Sequence, residues 1–188
     1  YRMENMNWAK ALMARFTNPD RLHGTLEEVV RGADVLIGLS AADCVSRDMV
    51  RSMADGAIVF ALALPVPEIG PEEAEAGGAA IYATGTSIYP NQVRASTVAP
   101  AFMRGCLDAR TGDINNYMFN AAVQALAGKV PDRELTPLRI LPDPLDVTVG
   151  PAIAEAVALA ACESGLSTLC LVPGTVSTRL SRYLYEGE

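Results

Sequence analysis

The stretch AAIYATGTSIYPNQVRASTVAPAFMRG, Ala79 to Gly105, decides how the chain is read. Ala79 to Ala83 is a short apolar run, Gly85 breaks it, and a polar loop leads to Pro90-Asn91-Gln92, where a helix is expected to begin. A strand, a glycine-bearing loop and a helix start are the parts with which α/β domains turn backbone N–H groups and side-chain amides toward a ligand. The rest of the chain reads as scaffold for this loop and for two similar loops before it.

Working back toward the amino end, the same grammar repeats. Asp34 to Ser40 and Ala57 to Ala63 are continuous apolar runs of the kind found in parallel sheets covered on both faces. Thr25-Leu26-Glu27-Glu28 has the spacing of a capping box and predicts a short helix to Gly32. Ser46 predicts the cap of a helix from Arg47 to Met53, and Pro71 the first turn of a helix to Ala76. Asn7 to Phe16 has helical spacing, with Trp8, Leu12 and Phe16 on one face, and Thr17-Asn18-Pro19-Asp20 ends it. Three strands with short helical connections predict an α/β fold, a doubly wound parallel sheet of Rossmann-like type with Ile37, Val59 and Ile81 on adjacent or near-adjacent strands.

Toward the carboxyl end the pattern turns helical. Val93, Val98, Phe102, Met103 and Leu107 recur at helical spacing over Asn91 to Ala109, and Ile114, Met118, Ala121, Ala122 and Ala125 over Asp113 to Leu126. Pro131 to Arg139 holds a short helical turn, and Leu141 to Asp146 is interrupted too often by proline to keep a regular element. Pro151 opens an alanine-rich helix that Gly165 ends near Ser164. Leu166 to Glu188 carries an apolar run at Leu169 to Val172 and a polar helical end. We divide the chain into a domain over 1–165 and an extension over 166–188.

With 188 residues, 50% of them hydrophobic and 20% charged, the chain is long enough and apolar enough to bury a core. A net charge of −7 argues against a nucleic-acid partner and is compatible with an anionic ligand in a local pocket. No apolar run approaches the roughly 18 residues of a membrane span, and Tyr1 to Lys10 lacks the layout of a signal peptide, so no membrane partner and a cytoplasmic location are expected. Cys44, Cys106, Cys162 and Cys170 form no CxxC pair and read as buried thiols rather than metal ligands; no metal site is read from the residues. His23, beside Gly24, reads as an exposed loop residue.

The carboxyl ends of the three strands are where such a domain takes its ligand. Ser40 to Asp43, Leu64 to Glu68 and Thr84 to Ile88 are the loops there, each with small residues or prolines that let a ligand come close to the backbone. Ordinary turns of an α/β protein share these features, so the loops alone leave the ligand open.

The blocks Gly32 to Ala41, Phe60 to Ile69, Ala83-Thr84-Gly85, Tyr89 to Val93 and Asp113-Ile114-Asn115 are more specific together. In order and spacing the chain resembles the dinucleotide-binding domain of bacterial NAD(P)-dependent malic enzymes over residues 4 to 165, and Glu4 to Lys10 is similar to the segment after that domain's second strand. The resemblance implies NAD or NADP as cofactor, a divalent metal (Mg or Mn), a small carboxylate as substrate, and oxidative decarboxylation of malate or a related hydroxy acid to a pyruvate-type product. It implies cofactor contacts at Ser40, Ala41, Ala42, Leu64, Gly85 and Ser87, and substrate contacts at Asn91 and Arg94. The family's tyrosine and lysine acid–base pair, metal carboxylates and GxGxxG turn fall before Tyr1 by this reading, so no catalytic residue is assigned. The sheet then lacks its first βαβ unit, as a fragment or as a chain completed by a companion chain; the family further implies a homo-oligomer, a dimer.

The departures from the family pattern fall in ligand-facing loops. Ala63-Leu64-Pro65 stands for Ala-Asn-Pro, Thr86-Ser87-Ile88 for Arg-Ser-Asp, Ala42-Asp43 for Pro-Gly, and Arg94-Ala95 for a pair of asparagines. Three readings follow: a malic-enzyme-like oxidoreductase, a degenerate homologue serving as a binding or regulatory subunit, or an altered reaction on the same scaffold. Arg94 has two readings of its own: a guanidinium in solvent or paired with a neighbouring carboxylate, or a fork turned into the cleft toward a carboxylate or phosphate.

Overall fold

The structure, a computed structural model, describes residues 6–17, 20–169 and 171–183. Its elements run α1 (Trp8–Phe16), α2 (Leu26–Val29), β1 (Val35–Gly38), α3 (Arg47–Arg51), β2 (Ile58–Ala61), α4 (Pro71–Ala76), β3 (Ile81–Thr84), α5 (Ala95–Ala109), α6 (Asn116–Ala127), a 3-10 turn (Asp132–Glu134), α7 (Val149–Glu163) and α8 (Thr175–Ser181). The expected class holds: β1, β2 and β3 form a parallel sheet in that order, with α3 and α4 as its crossovers.

The local signals act as read. Thr25 and Glu28 close the capping box, with the Thr25 N–H donating to Glu28 Oε2 at 2.7 Å. Ser46 accepts from the Met49 N–H at the start of α3, and Pro71 occupies the first turn of α4. Asn115 caps α6. Gly165 follows α7 with φ +72°, a left-handed residue that glycine supplies without steric cost.

Register decides which residues share a face. Leu36, Val59 and Tyr82 lie side by side, as do Gly38, Ala61 and Thr84. This face is the buried one: Val59, Ala61 and Leu36 pack with Val45, Val50, Met53, Ile69 and Ala74 from α3, α4 and their flanking loops. The other face is not covered at β1. Val35, Ile37 and Leu39 are 48%, 59% and 78% exposed, which corrects the expectation that both faces are covered. The physical reason is handedness: in a sheet that grows in one direction, two right-handed crossovers lie on the same side.

A second core joins α5, α6, α7 and α8 around Phe102, Met118, Ile153, Val157, Val176 and Leu180. Phe102 stacks on Phe119 with ring centroids 4.9 Å apart. The α5 and α7 backbones meet at Gly105, where a Cβ would stand 2.5 Å from the Ala154 carbonyl oxygen, so only glycine permits this approach. Met103 and Leu107, expected on the packed stripe of α5, are exposed instead. Cys106 is buried, Cys44 and Cys162 are partly buried, and Cys170 lies outside the described residues. His23 is exposed.

Candidate functional site

Because Gly38, Ala61 and Thr84 are in register, the three loops that follow them leave the sheet at one level. With parallel strands about 4.8 Å apart, their first residues span about 10 Å of one edge. Ser40, Ala41, Ala42, Leu64, Gly85 and Ser87 are thus gathered at the carboxyl end of the sheet. Ser40, Ala41, Ala42, Leu64 and Ser87 are exposed there and Gly85 is buried.

One side chain that the sequence reading passed over holds two of these loops together. Glu68 is 1% exposed, and its carboxylate oxygens accept from the Ser40 N–H at 2.8 Å and the Ala63 N–H at 2.9 Å. Its backbone carbonyl accepts from the Val45 N–H at 3.0 Å, and the neighbouring Pro67 carbonyl from the Asp43 N–H at 3.1 Å. Gly38 makes room for it: a Cβ there would lie 2.6 Å from Glu68 Cδ. The available signal was a lone carboxylate in an apolar, proline-flanked run, Pro65 to Ile69.

The third loop folds back on β3. Thr84 donates its N–H to the Asn91 carbonyl and accepts from the Val93 N–H, and Gln92 Nε2 reaches the Ser87 carbonyl at 3.2 Å. Gly85 is tightly placed, since a Cβ would stand 3.2 Å from the Leu62 carbonyl oxygen and 3.4 Å from Leu64. Thr86 Oγ1 is buried and, among the described residues, has no hydrogen-bond partner. A buried hydroxyl left unpaired costs free energy that a ligand can recover.

Asn91 and Arg94 end up in different surroundings. Asn91 is buried at φ +54°, and its Nδ2 donates to the Tyr82 carbonyl at 2.9 Å and the Pro137 carbonyl at 2.8 Å. Its Oδ1 accepts from the Ile140 N–H at 2.9 Å. Both amide hydrogens are committed to backbone, tying the third loop to the segment after the 3-10 turn. The helix expected from Asn91 therefore starts at Ala95, a correction whose cause is this left-handed, tertiary-bonded asparagine. Arg94 occupies the N-cap position of α5, exposed, extended at φ −127° and without a side-chain cap bond.

The residues present fit a dinucleotide by three observations: loops gathered at one sheet edge, a tightly packed glycine at position 85, and an unpaired buried hydroxyl at Thr86. For a metal the outcome differs. Among the described residues no group of three or more His, Cys, Asp or Glu is arranged to hold an ion.

A parallel sheet with short helical crossovers, whose loops gather at its strand ends, is the Rossmann-like type of α/β domain. The family is narrower: the chain belongs to the malic enzymes, and the family model for "Malic enzyme, NAD binding domain" matches residues 3–163. It is 43% identical over 187 residues to the bifunctional malic/malolactic enzyme of Bacillus subtilis, covering 100% of this chain and 46% of that protein. It is 41% identical over 170 residues to the NAD-dependent malic enzyme of Geobacillus stearothermophilus, covering 90% of this chain and 35% of that one. The malic enzyme of Pyrococcus horikoshii superposes with a TM-score of 0.85 at 37% identity, over 90% of this chain and 40% of the other. The chain spans less than half the length of each of these relatives.

Proposed function

We propose that this chain is the dinucleotide-binding part of a malic enzyme that oxidatively decarboxylates malate, or a related hydroxy acid, to a pyruvate-type product. The observation that carries the reading is the shared edge: three loops in register, laced by Glu68, with the Thr86 hydroxyl buried and unpaired. The match to the NAD binding domain of malic enzymes, and relatives named as NAD-dependent and NADP-dependent malic enzymes, support NAD or NADP as the ligand of this edge. When bound, the nicotinamide supplies the acceptor for the hydride that leaves the hydroxyl-bearing carbon.

This chain's residues bind and position in this reading. Ser40, Ala41, Ala42, Leu64, Gly85 and Ser87 present backbone and small side chains to the cofactor. Glu68, by fixing the Ser40 and Ala63 N–H groups, keeps the first two loops at a set separation. Asn91 shapes the third loop from behind through its three backbone bonds. Arg94, exposed at the start of α5, is the cation available to a substrate carboxylate. No step is assigned to a metal, which has no ligand set among the described residues. Residues 1–165 form the binding domain in this proposal. The extension over 166–188 is anchored by Val176 and Leu180 in the helical core. Assembly as a dimer is part of the same proposal.

The test is a dehydrogenase assay of the intact protein with malate, Mn²⁺ and each nicotinamide cofactor. Pyruvate formation coupled to reduction of NAD⁺ or NADP⁺ is expected where a longer or companion chain supplies the acid–base pair and the metal carboxylates, and these 188 residues alone are expected to bind the cofactor without turnover. A dinucleotide bound without turnover even in that complete assembly would transfer the chain to the binding-subunit reading.

A further inference from the structure

Away from the sheet edge, α5, α8 and the residues flanking α8 line an open cavity of about 860 Å³ rich in guanidinium groups. Arg104 on α5 and Arg179 on α8 converge on one carboxylate, Asp108, whose side chain is only 6% exposed. Arg104 holds it with two bonds, Nε at 3.0 Å and Nη2 at 2.6 Å, and Arg179 adds a third through Nη2. Burial pushes the Asp108 carboxyl up, and the bonds from the two guanidiniums outweigh it and hold the group below the usual carboxylate value. Arg182 lines the same cavity and makes no ion pair among the described residues.

Among the described residues, three guanidiniums stand against Asp108 and, beside the cavity, Glu155, whose carboxylate accepts from the Gly174 and Ser177 N–H groups, which leaves a local positive excess in a chain whose net charge is −7. Each guanidinium carries five N–H donors, so those bound to Asp108 keep several unspent. Asp108, fixed in the helical core, holds Arg104 and Arg179 in place before any ligand arrives, which lowers the ordering cost of binding. Thr175 and Thr178 add hydroxyls, and Tyr183 adds an aromatic wall with a polar tip.

We propose that this cavity is a second binding site, for a small molecule carrying two anionic groups, held by Arg104 from α5 and by Arg179 and Arg182 from α8 and its C-terminal end. Phosphate and carboxylate compounds share this chemistry. The site is independent of the dinucleotide reading, because its lining residues belong to none of the three strand-end loops.

Calorimetric titration of the intact protein with inorganic pyrophosphate and with citrate, in saturating NAD⁺ and then in saturating NADP⁺, tests the assignment. Saturable binding of at least one probe is expected, with the dissociation constant raised at least about tenfold in Arg182→Gln and the melting temperature of that variant unchanged. Preference for pyrophosphate assigns the site to phosphorylated compounds, preference for citrate to polycarboxylates, and equal affinity to recognition by charge alone. Arg104→Gln is expected to lose binding and also to lower the melting temperature, since it strips Asp108 of a partner. Two results overturn the proposal: no saturable binding of either probe up to about 10 mM, or equal affinity in the parent and Arg182→Gln.

Discussion

Replacing Glu68 separates two roles that the carboxylate plays in the structure, filling space and accepting hydrogen bonds. In Glu68→Ala the Ser40 and Ala63 N–H groups, now bonded at 2.8 and 2.9 Å, lose their acceptors in a site that is 1% exposed. A buried donor left unpaired costs about 1–3 kcal/mol, so two cost about 2–6 kcal/mol. At about 2–4 °C per kcal/mol for a chain of this size, a loss of about 3 kcal/mol lowers the melting temperature by about 6–12 °C. Glu68→Gln keeps the volume but offers one oxygen and one NH₂ to two donors, so one donor faces another donor and about 1–3 kcal/mol is lost. Urea denaturation of the parent and both variants gives the ordering directly, with the glutamine variant between the other two. A glutamine variant within about 0.5 kcal/mol of the parent, beside a strongly destabilised alanine variant, would show that Glu68 acts by volume and refute the argument from acceptance.

Asn91→Ala removes three bonds to backbone and leaves an alanine at φ +54°, so a loss of about 3 kcal/mol is expected in denaturant unfolding; a loss below about 1 kcal/mol would contradict the tie. Arg94→Ala, at an exposed N-cap position without a side-chain cap bond, is expected to weaken binding of the substrate carboxylate at least about tenfold with the melting temperature unchanged, and equal affinity by calorimetry would leave the guanidinium in solvent. Asp108 has its carboxyl lowered in the folded chain, so its stabilisation is present above the unfolded value of about 3.9 and is lost as pH falls through the folded value. The melting-temperature difference between the parent and Asp108→Asn is therefore expected to be full at neutral pH and to shrink below about pH 4; a difference constant through that range would refute it.

The elements that the sequence announces are those decided within one turn of chain. Thr25 with Glu28, Ser46, Pro71 and Gly165 each set a helix end through a neighbour three or four residues away or through their own backbone. Asn91 looked like a helix start beside Pro90 for the same local reason, and failed as one because its partners, Pro137 and Ile140, lie 46 and 49 residues away. The exposed face of β1 was illegible for a related reason. A continuous apolar run reports that both faces can be buried, not that the chain supplies a cover for both. At the site, the three loops were legible because strand ends are local. Glu68 and Thr86 were not, since a lacing carboxylate and an orphaned hydroxyl exist only once separate loops are brought together.

The claim at the centre is that the strand-end loops hold a nicotinamide dinucleotide, and calorimetric titration of the intact protein and of Thr86→Val with NAD⁺ and NADP⁺ tests it most directly. Valine keeps the shape of threonine and removes a hydroxyl that has no partner among the described residues, so the fold is expected to be as stable as the parent's or more so. Saturable binding of at least one cofactor by the parent, weakened in Thr86→Val, is the expected result. No saturable binding of either cofactor by the parent, or the same affinity in the parent and the variant, would contradict it.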